Sequence, residues 1–78
     1  MDRTEIKALV LSVISTVLKF EVSDGVTTEN TFQWDSIKHI EVIFALEDEL
    51  NLQFPEEMMP NLNSVERIVD AIEEFYAA

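Results

Sequence analysis

Residues 34–50 read Trp34-Asp35-Ser36-Ile37-Lys38-His39-Ile40-Glu41-Val42-Ile43-Phe44-Ala45-Leu46-Glu47-Asp48-Glu49-Leu50. Apolar residues recur there at three- and four-residue steps, the period of a helix rather than a strand. The spacing predicts a helix from Ser36 to about Leu50, and Pro55 bars any continuation. On a helical wheel the apolar arc is much wider than a one-sided helix needs. It divides into two sectors. Val42, Ile43, Leu46 and Leu50 form one and are assigned to the core. Ile37, Ile40 and Phe44 form the other, edged by Glu41, Glu47 and Asp48, with Ser36 projecting at the helix start.

Upstream, Ile6, Leu9, Val10, Val13, Ile14, Val17 and Leu18 predict a first helix from about Arg3 to Lys19. Asp2 stands three residues before Glu5, a variant of the capping box. Residues 20–35 lack helical period and hold the only glycine, in the turn signal Ser23-Asp24-Gly25. Val22, Val26, Phe32 and Trp34 are spread through this stretch and are expected to pin it to the core. Downstream, a short helical turn is expected around Glu56 to Met59, before Pro60. A last helix is expected from about Ser64 to Tyr76, with Val65, Ile68, Val69, Ile72, Phe75 and Tyr76 on one stripe. Asn63, three residues before Glu66, is its expected cap. The expected fold is all-α: a small four-helix bundle of three main helices and a short third one, with a long loop between the first two.

Seventy-eight residues suffice for a single domain, 1–78, and leave no room for a second core. Apolar residues make up 47%, enough to pack a core, so the chain is not a disordered acidic tail. Without cysteine there are no disulfides or thiolate nucleophiles, and one histidine cannot build a zinc site or a triad alone. No catalytic or metal-binding set is expected. A formal charge of −11 repels nucleic acid and anionic membranes and favours basic protein surfaces. Met1-Asp2-Arg3-Thr4-Glu5 is too charged for a signal peptide, and no apolar run approaches a membrane span. A soluble, cytoplasmic monomer is expected.

Each notable residue has a plain alternative. Ser36 at a helix start is by base rate a cap. The sector Ile37, Ile40 and Phe44 is either covered by the loop and short helix, or left open as a partner-docking patch rimmed with carboxylates. His39 reads as a partly buried, hydrogen-bonded histidine, and Trp34 as a loop anchor. Glu47-Asp48-Glu49 and Glu56-Glu57 have no calcium-loop spacing and read as solvated faces, as does Glu73-Glu74. Met58 and Met59 either pack the short helix or line an opening for a cargo chain.

The stretch from Asp35 to Pro55 resembles the core of the acyl carrier proteins. Asp35-Ser36-Ile37 is similar to that family's Asp-Ser-Leu. Residues 40–50 resemble its Val-Glu-Leu-Val-Met-Ala-Leu-Glu-Glu-Glu-Phe type of helix. Gln53-Phe54-Pro55-Glu56-Glu57 resembles its Ile-Pro-Asp-Glu continuation, and Asn63-Ser64-Val65 its Thr-Thr-Val. The likeness runs from about Val26 to the C-terminus, and covers the first helix only by pattern. It departs where Phe32-Gln33-Trp34 replaces Leu-Gly-x, and at Lys38, often acidic in relatives. Both departures fit a specialised carrier with its own partners.

The resemblance implies that Ser36 carries a covalent 4′-phosphopantetheine arm from CoA, with Asp35 assisting its attachment and Mg²⁺ needed only then. Implied partners are a phosphopantetheinyl transferase, an acyl- or aminoacyl-loading enzyme and downstream transferases or synthases. Ile37, Ile40, Glu41, Phe44, Glu47 and Asp48 are the expected partner-binding residues. The expected function is a carrier, not an enzyme, holding acyl or aminoacyl cargo as a thioester. The alternative is an unmodified acidic adaptor with a carrier-like fold.

Overall fold

The computed structural model describes residues 2–77. Helix α1 spans Arg3–Leu18. Asp2 caps it, its carboxylate accepting from the Glu5 N–H at 2.9 Å as the Asp-x-x-Glu spacing predicts. The helix stops one residue sooner than expected because Lys19 turns left-handed, with φ 64°. Helix α2 spans Ser36–Leu50 and stops the same way, at Asn51 with φ 54°, before Pro55 is reached. Asparagine tolerates that conformation better than most residues.

The short helix differs from expectation. It is a 3₁₀ helix, Glu56–Asn61, and runs through Pro60 instead of ending before it. In so short an element the missing proline N–H removes a single bond. Its ends are tied by Met58 N–H to Pro55 O and Leu62 N–H to Met59 O. Helix α3 spans Val65–Ala77. Its cap is Ser64, whose hydroxyl accepts from the Arg67 N–H at 3.1 Å, and not Asn63. Asn63 is otherwise engaged: its carbonyl accepts from the Thr28 N–H at 2.8 Å.

Helix α1 packs against both α2 and α3. Ile6, Val10, Val13, Ile14 and Leu18 of α1 meet Val42, Ile43 and Leu46 of α2 and Val65, Ile68, Val69 and Ile72 of α3 in one core. Burying each such side chain contributes about 1.5–3 kcal/mol. Leu50 is half-buried at the core edge. The α3 stripe is fully buried only as far as Ile72. Tyr76 is exposed, and Phe75 leaves the core to set its ring edge-on to Phe54, with centroids 5.6 Å apart.

The loop 19–35 is held to the end of the chain by backbone bonds. Besides Thr28 to Asn63, the Val65 N–H donates to Val26 O, and Thr27 and Ser64 form an isolated antiparallel bridge. Val22 and Trp34 are buried and Val26 half-buried, as anchors should be. Phe32 is not an anchor. It is 95% exposed, because Thr31 and Trp34 take the inward positions on either side of it.

Acidic α3 is tied to α1 by two cations. The Arg3 guanidinium reaches Glu66 at 2.7 Å, Asp70 at 2.9 Å, and Glu73. Lys7 reaches Asp24 at 3.1 Å and Glu66 at 3.4 Å. Glu73, expected to be plain surface charge, is therefore part of this network.

Candidate functional site

Asp35 sits just before α2 with an extended backbone, and its Oδ1 accepts from the Lys38 N–H at 2.9 Å. That bond makes Asp35 the cap. Ser36 is thereby shifted one place, to the first residue of the helix. Its side chain is exposed, and among the described residues no hydrogen bond engages its hydroxyl. The usual employment of a serine at a helix start is taken by its neighbour. Ser36 Oγ lies beside the N-terminal end of α2, where unpaired N–H groups and the helix dipole favour an anionic group.

Ser36 opens on a cleft of about 290 Å³ lined by Thr28, Trp34, Asp35, Ser36, His39, Pro60 and Asn63. Three segments meet there: the long loop, the start of α2, and the end of the 3₁₀ helix with the residues that follow it. His39 ties them together. The Trp34 indole N–H donates to His39 Nδ1 at 3.0 Å, so Nδ1 must be the acceptor. Nε2 then carries the proton and donates to the Met59 carbonyl at 2.7 Å. Both ring nitrogens are spent on structure, and the expectation of a structural histidine holds. A larger hollow of about 630 Å³ beside α3, lined by Met58, Arg67 and Glu74 among others, includes neither Asp35 nor Ser36.

The two sectors of α2 are visible in the burial. Val42, Ile43 and Leu46 are at most 1% exposed, whereas Ile37, Ile40 and Phe44 are 69%, 45% and 60% exposed. Neither the loop nor the 3₁₀ helix covers the second sector. Glu41 and Asp48 are exposed along it. Two rim residues have contacts that spacing did not announce. Lys38 pairs with Glu41 at 3.2 Å. Glu47 is half-buried, and its carboxylate accepts from the Phe54 N–H at 2.8 Å, so it holds the chain after α2 as well as bearing charge. Met58 and Met59 are half-buried against the core.

Among the described residues no cluster of histidine and carboxylate side chains could hold a metal ion, and no helix is long and apolar enough to cross a membrane. The residues at the helix start do suit a covalently attached group: an exposed, uncommitted hydroxyl, at a helix N-terminus, beside a cleft.

The family described as a phosphopantetheine attachment site matches residues 8–72. The chain belongs to this family of carrier proteins, whose members bear the prosthetic arm covalently. It is similar to acyl carrier protein 2, mitochondrial, of Arabidopsis thaliana, with 33% identity over 76 residues. That alignment covers 92% of this chain and 60% of the plant protein, so the chain spans less than two thirds of its relative's length.

Proposed function

We propose that the 78 residues form one carrier domain that takes 4′-phosphopantetheine on Ser36 and presents acyl or aminoacyl cargo to partner enzymes. The observation that carries this reading is the division of labour at the start of α2: Asp35 makes the cap, and the Ser36 hydroxyl is exposed and uncommitted. A serine so placed is free to react without any loss to the fold.

In the modification, Ser36 Oγ is the nucleophile toward the β-phosphate of CoA. A phosphorus–oxygen bond forms at Ser36, the bond to the adenosine 3′,5′-bisphosphate half breaks, and the serine proton passes to a base of the transferase. Asp35 Oδ1 is committed to the Lys38 N–H. The second carboxylate oxygen suits the hard Mg²⁺ that accompanies CoA. Once attached, the arm supplies a thiol, which holds cargo as a thioester activated for transfer. The chain itself needs no catalytic residue for this. Ile37, Ile40 and Phe44 would supply apolar contact to partners, and Glu41, Glu47 and Asp48 would draw in basic surfaces.

The test is incubation of the purified chain with CoA, Mg²⁺ and a broad-specificity phosphopantetheinyl transferase, read by intact mass. The expected result is a gain of one phosphopantetheine in wild type and none in Ser36→Ala. No gain in wild type would leave the chain an unmodified adaptor.

A further inference from the structure

We infer that Phe32 is a second docking anchor for the phosphopantetheinyl transferase, placed on the loop side of Ser36 and separate from the apolar face of α2. The inference rests on the proposed modification of Ser36. Phe32 is 95% exposed, the most exposed large apolar side chain described. Single exposed apolar side chains are ordinary on a protein surface, and it is the position of this one that matters. A phenyl ring almost wholly in water, on a turn leading into the reactive serine, forgoes burial that its neighbour Trp34 obtains.

The turn that displays it is fixed. Thr31 is 8% exposed and Trp34 2%, and the Trp34 N–H donates to Thr31 O at 3.0 Å. Asn30 stitches the preceding residues: its Oδ1 accepts from the Thr27 N–H and the Thr31 hydroxyl, and its Nδ2 donates to Gly25 O. The Asn30 N–H donates back to Thr27 Oγ1. Phe32 is thus an aromatic side chain on a backbone already ordered, so its burial by a partner costs little further entropy. Aromatic residues in that situation are the usual energetic centres of interfaces.

Reach selects the transferase as the partner. Enzymes that act on the arm's thiol work at the far end of the prosthetic group. The transferase alone must bring its active site onto the Ser36 hydroxyl itself, and so must cover residues on both sides of it. Phe32 lies before Ser36 in the chain, and Ile37 and Ile40 after it. Glu29, Asp35 and Glu41 outweigh Lys38, which pairs with Glu41, and the net negative charge of this stretch fits a basic enzyme surface that carries an apolar socket.

The test is steady-state kinetics of CoA-dependent modification by one phosphopantetheinyl transferase, comparing wild type, Phe32→Ser, Phe32→Leu and Asp48→Lys. Phe32→Ser should raise the KM for the carrier about tenfold, the scale of a truncated aromatic anchor, with kcat and Tm unchanged. Phe32→Leu should restore most of it. The Phe32→Ser defect should persist when salt is added, whereas that of Asp48→Lys should shrink. Wild-type KM in Phe32→Ser, with Ser36 still modified, overturns the inference and leaves the proposed function standing. A lowered Tm in Phe32→Ser would also overturn it, by making the residue structural. Absence of modification in wild type would remove both.

Discussion

The indole N–H of Trp34 donates to Nδ1 of His39 across 3.0 Å, with the two rings tilted at 40°. Because His39 Nε2 also donates to Met59 O, one imidazole joins the long loop, α2 and the 3₁₀ helix beside Ser36. Loop, serine and cleft are therefore held as one unit.

Trp34→Phe would keep an aromatic ring in place and remove the donor. It should cost about 1–3 kcal/mol, the range for leaving a buried polar partner unsatisfied. His39→Ala should loosen the loop more broadly. Trp34 is the sole tryptophan and 2% exposed, so its fluorescence reports the site directly. Wild type should resist acrylamide quenching, and His39→Ala should be quenched more readily and emit further to the red.

Leu46 and Phe44 lie two residues apart on α2, one wholly buried and the other 60% exposed. Leu46→Ala should cost about 2–5 kcal/mol in denaturant unfolding, and Val42→Ala should also destabilise the fold. Phe44→Ala should cost under about 1 kcal/mol and instead weaken association with partner enzymes. If Phe44→Ala is the more destabilising, the division of α2 into core and docking sectors fails.

At the start of the same helix, Asp35→Ala should lose the cap and about 0.5–2 kcal/mol. Ser36→Ala, at a position that spends no hydrogen bond, should stay within about 0.5 kcal/mol of wild type. Helical circular dichroism during thermal melts separates the two.

The ties between α1 and α3 should respond to salt and to pH. Hydrogen bonds donated to the Asp70 and Glu73 carboxylates hold the Arg3 guanidinium protonated even more firmly than usual. Arg3→Gln should lower Tm, and added salt should narrow the difference. Hydrogen bonds to Asp24 and then Glu66 raise the Lys7 pKa above its ordinary 10.5. A raised folded-state value means the contribution is present in full below the ordinary lysine range and is lost as pH rises through the folded value. The Tm gap between wild type and Lys7→Met should therefore shrink above about pH 10.5.

Most of the architecture was legible because it rests on local signals. Apolar period set the helices, Asp2 with Glu5 marked the first start, and the double-sided arc of residues 36–50 raised, without deciding, the choice between a covered sector and a face left in water. What could not be read depends on contacts between distant segments. Asn63 and Ser64 are both good caps, and the bridge from Thr28 to the Asn63 carbonyl decides between them. Asp35 and Ser36 pose the same choice, and only the geometry gives the cap to Asp35. Phe32 and Trp34 look alike as loop anchors, since an aperiodic stretch does not say which side faces inward. The nearby histidine able to accept from an indole was the one signal favouring Trp34. Glu47 gives no sign in sequence of its bond to the Phe54 N–H.

The central claim is that Ser36 alone receives the phosphopantetheine arm. Its most direct measurement is fragmentation mass spectrometry of the chain after reaction with CoA, Mg²⁺ and the transferase. One phosphopantetheine per chain is expected, localised to Ser36 within the proteolytic fragment 20–38, with Ser12, Ser15, Ser23 and Ser64 unmodified. An arm found on any other serine, or still present in Ser36→Ala, would contradict it.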